Sequence, residues 1–307
     1  MTFTHRLGKL SFMNLENKIK SLLIELGVST EDSIVPYFPK VRDRDDVAVL
    51  KCEKSDVILL SRSDHMDIKH YNDKASLNYW GDQDRKTALL NGLEDAERRA
   101  KQCKGIITNK KWVDIGTGAG AILDLLSPIA SETIAVEPQE NARKYLLDLN
   151  YKVYPSIEDI KENDLDVVTL FHVVEHLTNP IDTLKSIRGK MAKGGKIVIE
   201  VPHARDFMIS FLENNEFKSF TFWSEHLLLH TRESLNIFLK TAGFSKVVIK
   251  GFQRYPLANH LYWLTHGKPS GHVIWQHLRT AELESAYADM LSGIDRTDTL
   301  IAIAENQ

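Results

Sequence analysis

Three stretches hold the residues able to do chemistry. Asp114-Ile115-Gly116-Thr117-Gly118-Ala119-Gly120 sets an acid two residues ahead of alternating glycines. Glycines spaced this way let the backbone turn tightly and leave room beside it for a ligand, and the helix start that follows offers free N–H groups. His172-Val173-Val174-Glu175-His176 gathers two histidines and a glutamate, and Trp223-Ser224-Glu225-His226 again sets a glutamate beside a histidine. Histidine is the usual base near neutral pH, so both stretches are candidates for proton transfer. Read as H-x-x-E-H, the first also matches a zinc-peptidase pattern, which needs both histidines on a helix. Here His172 follows directly on the strand-like Val167-Val168-Thr169-Leu170-Phe171, and Asn179-Pro180 closes the segment, so zinc is not expected.

The elements around the glycines are a short apolar strand before Gly116, a helix after Gly120, and a second strand, Thr133–Val136, that ends in Glu137. An acid about 20 residues beyond such a turn is placed to grip ribose hydroxyls. The unit is therefore a nucleoside-binding βαβ. The string Gly116 to Ala121 also satisfies the dinucleotide pattern G-x-G-x-x-A. Asp114 separates the readings. A carboxylate at that strand end opposes a pyrophosphate by like charge and suits a ligand with a cationic end, such as the ammonium or sulfonium of S-adenosylmethionine.

Asp114, Gly116, Gly118 and Gly120 match motif I of the class I S-adenosylmethionine-dependent methyltransferases, (D/E)-x-G-x-G-x-G, which the stretch resembles. Glu137, the run Asp164 to Leu177 and the Gly194-Gly195 turn into Lys196–Pro202 resemble that family's later motifs in the same order. The resemblance implies S-adenosylmethionine as cofactor, with Asp114, Gly116, Gly118 and Gly120 around its methionine portion and Glu137 on the ribose. It implies Ser156 and Ile157 beside the adenine, and Phe171 and His172 at the exit of the fourth strand, His172 near the methyl group as a contact or a base. The run from Trp223 to Leu235 resembles the Glu-His-Leu stretch of bacterial sugar C-methyltransferases, in which a histidine is the catalytic base. His226 is the matching position, with the loop-ordering reading equally open, and Glu225 stands where it could orient that imidazole.

Strands alternating with helices from about residue 106 imply an α/β fold: a Rossmann-like, seven-stranded, mostly parallel sheet with helices on both faces. Residues 106–307 form the expected methyltransferase domain and residues 1–105 a small α+β segment. That segment holds a helix ending before Gly27, a hairpin over 47–60 and a helix from Asp84 to Lys104. It resembles the N-terminal segment of the sugar C-methyltransferases, whose Cys-x-x-Cys knuckle is here Cys52 and Ser55, so no metal is expected. Tyr79, Trp80 and Arg85 precede motif I, where aromatic packing is the favoured role and contact with the methionine end the alternative. About forty residues, 254–297, are inserted before the last strand. Their aromatic and cationic character, with Arg254, His260, Lys268 and His272, reads as a substrate lid able to take a phosphate.

A net charge of -3 gives no basic footprint for nucleic acid, and no apolar run approaches the length of a membrane helix. Charges scattered through Met1 to Leu26 give no secretory signal, and two cysteines give no disulfide framework, which suits a cytoplasmic protein. The expected function is methylation of a small molecule, with a sugar or nucleotide-linked sugar of glycan biosynthesis leading and oxygen favoured over carbon as the knuckle is lost. Another metabolite or natural product, a non-catalytic cofactor-binding homologue and a dehydrogenase are the alternatives, and monomer and homo-oligomer are both open.

Overall fold

The computed structural model describes residues 17–66 and 85–307; Tyr79 and Trp80 lie outside them, as do the expected start of the first helix at Asn14 and that of the second at Asp84. Helix α1 (Lys18–Glu25) begins at Asn17, whose side chain accepts the Lys20 N–H at 3.1 Å, and it buries Ile19 and Leu23. Strands β1 (Ile34–Phe38), β2 (Val49–Cys52) and β3 (Ile58–Leu60) follow, and β2 and β3 form the hairpin expected over 47–60. Helix α2 (Arg85–Ile107) then runs to the main sheet, with Ala88, Ala96, Cys103 and Ile107 buried.

That sheet contains β4 (Lys111–Ile115), β5 (Glu132–Val136), β6 (Lys152–Tyr154), β7 (Leu165–Phe171), β8 (Met191–Pro202), β10 (Phe244–Phe252) and β11 (Thr299–Asn306). Its order is β10-β11-β8-β7-β4-β5-β6, and only the pairs made by β11 are antiparallel. Helices α3 (Ala121–Leu126), α4 (Glu140–Asp148), α5 (Pro180–Lys190), α6 (Asn215–Thr221) and α7 (Arg232–Thr241) fill the connections. The strand order reverses between β4 and β7, so their carboxyl ends open the crevice in which such sheets bind ligands. The sheet is the seven-stranded, mostly parallel one expected. Thr231 and Ser234 cap α7, each side chain accepting the other's backbone N–H.

Between α6 and α7, Leu228–Leu229 (β9) leaves the main domain and pairs with β3, completing a second sheet of order β1-β2-β3-β9. One hydrophobic core runs through both sheets, from Leu23, Val49 and Leu59 to Val113, Leu170 and Ile199. The N-terminal segment therefore fixes the loop that carries His226.

The insertion before β11 is more helical than expected. It forms α8 (Leu257–His266), the single turn α9 (Gly271–Ile274) and α10 (Ala281–Gly293). Polar Asn259 and His260 share the buried face of α8 with Ala258 and Trp263, which broke the apolar period that would have announced a helix. Trp263 anchors α8 against Phe217 and Phe220 at ring distances of 5.2 and 5.3 Å. No helix of the described residues is long and apolar enough to cross a membrane.

Candidate active site

Gly116, Gly118 and Gly120 all adopt positive φ, the left-handed region that costs other residues energy. A side chain at Gly116 would also collide with Val173, whose Cγ2 lies 2.6 Å from where its Cβ would be. The turn after β7 is thus packed directly on the glycine turn after β4. Asp114 is buried beneath, where Thr169 Oγ1 donates to its Oδ1 at 2.6 Å and takes the Trp112 indole N–H at 2.9 Å. Burial pushes the Asp114 carboxyl up to about 6, against the pull of that Thr169 bond. Glu137 is also buried and raised by burial, and its carboxylate accepts the Gly118 and Gln139 N–H groups at 2.7 and 2.8 Å. Two acids therefore bracket the turn, one below and one across it. This donor set fits a ligand with an ammonium at one end and a diol at the other.

Arg85, considered for the methionine end, donates instead to the Ala119 carbonyl at 2.9 Å and to Asp124 at 2.6 Å. It steadies the glycine turn from outside. Ser156 follows β6 as expected and donates to Asp159 Oδ2 at 2.7 Å, an acid that reading only the strand's end missed. Ile157 is buried beside it. Phe171 ends β7 with the Arg99 guanidinium 4.9 Å over its ring.

His172 follows at φ +55, a strained position for a residue with a side chain, and its N–H donates to the Glu200 carbonyl at 2.8 Å. Its Nδ1 lies 2.9 Å from Glu175 Oε1, and its Nε2 lies 3.3 Å from Glu200 Oε1 and 3.2 Å from Arg254 Nη1. Burial acts to lower the His172 pKa, but the bonds to Glu175 and Glu200 outweigh it and raise the net value. Both ring nitrogens of His172 are thus engaged by neighbouring side chains. Against the upward pull of burial, the His172 contact holds Glu175 down to about 2.

Behind His172 stands a buried ion cluster absent from the sequence reading. Glu200 is fully buried on β8 and accepts from Arg98 Nη1 at 2.8 Å and Arg99 Nη2 at 2.6 Å. Asp95 accepts from Arg98 Nη2 at 2.8 Å and from Arg254 Nε at 3.2 Å. A lone acid inside the apolar run Ile197-Val198-Ile199-Glu200-Val201 was the available signal, since buried acids are almost always paired.

On the far side of the same turn, His176 meets His226 edge to face at 4.9 Å between ring centroids, with Trp223 5.5 Å from His226. The Leu227 N–H donates to the Glu175 carbonyl at 2.9 Å and locks the two loops together. Burial and then the neighbouring His176 lower the His226 pKa, keeping that ring neutral. Glu225 Oε2 lies 3.9 Å from His176 Nδ1. Glu175, His176 and His226 offer ligand atoms that all lie within 4.8 Å of one another. His172 is not among them, so the two histidines of H-x-x-E-H do not face one ion in the peptidase manner.

The four residues expected to form a cationic lid have different surroundings, with Tyr255 between Arg254 and His272. Arg254 is matched by Asp95, which raises its pKa against burial. His260 is buried against Tyr287, with Nδ1 2.6 Å from the phenol oxygen, and burial lowers its pKa to about 4. His272 Nδ1 lies 3.2 Å from Asn259 Oδ1, and Lys268 is exposed. Three of the four are held by other side chains, and Lys268 is open to solvent.

A family model described as a methyltransferase domain matches residues 85–248, more than half of the chain. The mitochondrial ubiquinone biosynthesis O-methyltransferase of Schizosaccharomyces pombe is 28% identical over 152 residues, 43% of this chain and 53% of that protein. The chain thus spans about half the length of this curated relative. A complex between the Haloferax volcanii Trm112 methyltransferase activator and a methyltransferase shares the fold, with a TM-score of 0.50 and 14% identity over 75% of this chain and 96% of that one. A methyltransferase from Archaeoglobus fulgidus aligns with a TM-score of 0.48 and 20% identity over 76% of this chain and all of that one.

Proposed function

The chain belongs to the methyltransferase-domain family, as an S-adenosylmethionine-dependent enzyme, and from that premise we propose that the whole protein methylates a hydroxyl oxygen of a small molecule. The observation that carries the reading is the pair of buried acids around the glycine turn. Asp114 stands where a cationic ligand end would be met, and Glu137 where ribose hydroxyls would be. Ser156, Ile157 and Asp159 border the adenine in this reading, and Phe171 closes the crevice at the end of β7. S-adenosylmethionine supplies a methyl group activated by a sulfonium; the residues of the chain align the acceptor with it and keep water away.

The acceptor approaches from the side of Glu225 and His226, whose loop is fixed by β9. In this reading residues 1–105 serve as a platform, residues 106–307 hold the chemistry, and the insertion over 254–297 borders the acceptor. A sugar is the leading acceptor class, supported by the Glu225-His226-Leu227 stretch and by the hairpin that keeps Cys52. The favouring of oxygen gains support from the S. pombe relative, which is by name an O-methyltransferase. With Arg254 and His260 engaged elsewhere, an unphosphorylated sugar is favoured over a nucleotide-linked one. A second reading, an acceptor with an apolar tail, is favoured by Leu261, Leu264, Val273 and Ile274, all exposed on α8 and α9.

The test is turnover with methyl-labelled S-adenosylmethionine against free sugars, nucleotide sugars and prenylated phenols, read as a mass gain of one methylene on the acceptor. Product on a free sugar carries the leading reading, and product only on prenylated phenols replaces it with the second.

A further inference from the structure

Glu175, His176 and His226 form a cluster that cofactor binding does not use. Glu175 and His176 lie on the turn Val174–His176 after β7, and His226 on the loop before β9. The cluster is preformed: the Leu227 N–H holds the two loops together through the Glu175 carbonyl, and the Leu228–Leu229 pairing with β3 fixes the second loop from behind. Its ligand atoms lie within 4.8 Å of one another. Two of its buried atoms, Glu175 Oε2 and His176 Nδ1, have no hydrogen-bond partner among the described residues. Leaving such a group unpaired is costly, more so when it is charged. His172 holds the other oxygen of Glu175 at 2.9 Å, the kind of outer contact that orients a ligating carboxylate. His176 and His226 are both partly exposed, which leaves a way in from solvent.

We propose that Glu175, His176 and His226 bind one divalent transition-metal ion, with zinc the best fit. Two imidazoles and one carboxylate are the three protein ligands of open zinc sites, in which water or a substrate oxygen takes the fourth position. Binding draws the ligand atoms in until each lies about 2.0–2.2 Å from the ion. Val173 ties this turn to the glycine turn at Gly116, and the fourth position is open to an acceptor oxygen. An acceptor hydroxyl seated there loses its proton to water more readily, because a bound divalent ion lowers the pKa of an oxygen it holds. That last step rests on the methyltransferase reading; occupancy by the metal does not. In this site His226 is a ligand and takes no proton.

The full chain, stripped with chelator, is titrated with Zn²⁺ against a chromophoric competitor and with Co²⁺ by visible absorption, alongside a titration with S-adenosylhomocysteine. The expected result is one equivalent of either metal and a Co²⁺ spectrum of low coordination number. In His226→Ala, His226→Gln and His176→Ala, affinity for the metal falls at least the roughly 100-fold that loss of even an outer partner can cost. S-adenosylhomocysteine still binds these variants, which shows that they fold and keeps the metal result separate from the cofactor reading. His266→Ala and His277→Ala, at exposed histidines of the insertion, keep the full equivalent. Failure of the wild-type chain to take up a metal equivalent overturns the proposal, as does an equivalent that survives both His226 substitutions.

Discussion

The glycine turn and the ion cluster behind His172 are built differently. At the glycine turn, Gly118 donates to Glu137 19 positions on, and Glu137 also takes the N–H of Gln139. In the ion cluster the contacts span the molecule, with Arg98 reaching Glu200 across 102 positions and Arg254 reaching Asp95 across 159. The first depends on backbone conformation, the second on charges matched in the interior. A backbone turn can be read from residue types and spacing, because only glycine takes those dihedrals cheaply. A charge cluster cannot, because its members share no local pattern.

The comparison is tested hardest at Glu200. Replacing it with Ala leaves Arg99 largely buried without its counter-ion and Arg98 with Asp95 alone, and breaking such a pair from one side costs about 3–5 kcal/mol. Denaturant unfolding is expected to show that loss. A near-wild-type midpoint would mean that this region is held by apolar packing alone.

Gly116→Ala is the matching test at the glycine turn. The left-handed backbone costs about 1–2 kcal/mol for a residue with a Cβ, and forcing Val173 aside adds about 1–3. The expected outcome is a lower melting temperature together with loss of S-adenosylhomocysteine binding. Retained binding would show that the turn does not shape the ligand site.

Asp114 gives a pH signature on the same side. Its pKa is raised to about 6 in the folded chain, so the carboxyl is neutral below that pH and charged above it. A raised carboxyl holds its proton more tightly when folded, so its contribution to stability is full below its ordinary pKa and is lost as pH rises through about 6. Affinity for a ligand ammonium runs the opposite way and rises through the same range. Asp114→Asn is expected to flatten both profiles, and unchanged profiles would place the titrating group elsewhere.

The smallest effect is expected at Lys268. It is exposed, and Lys268→Ala is expected to change stability by less than about 0.5 kcal/mol and to leave the KM for the acceptor unchanged. A large rise in KM would restore the cationic lid that the positions of Arg254 and His260 argue against.

The same contrast explains what was legible in the chain. The main strands, the glycine turn and Glu137 follow from local spacing and stand where that spacing put them. Helix α8 escaped because Asn259 and His260 interrupt its buried face. The contacts that hold His172 escaped because Glu200 and Arg254 come from other strands and loops. The meeting of His176 with His226 depends on β9 crossing to the N-terminal sheet, which two leucines do not announce.

The central claim is that the acids around the glycine turn bind S-adenosylmethionine, and calorimetric titration of the full chain with S-adenosylhomocysteine, with NAD as control, tests it most directly. S-adenosylhomocysteine is expected to bind and NAD not to, and Glu137→Ala to weaken binding by roughly ten- to a hundredfold, the worth of a charged hydrogen bond. Binding of NAD in place of S-adenosylhomocysteine, or an affinity indifferent to Glu137→Ala, would contradict it.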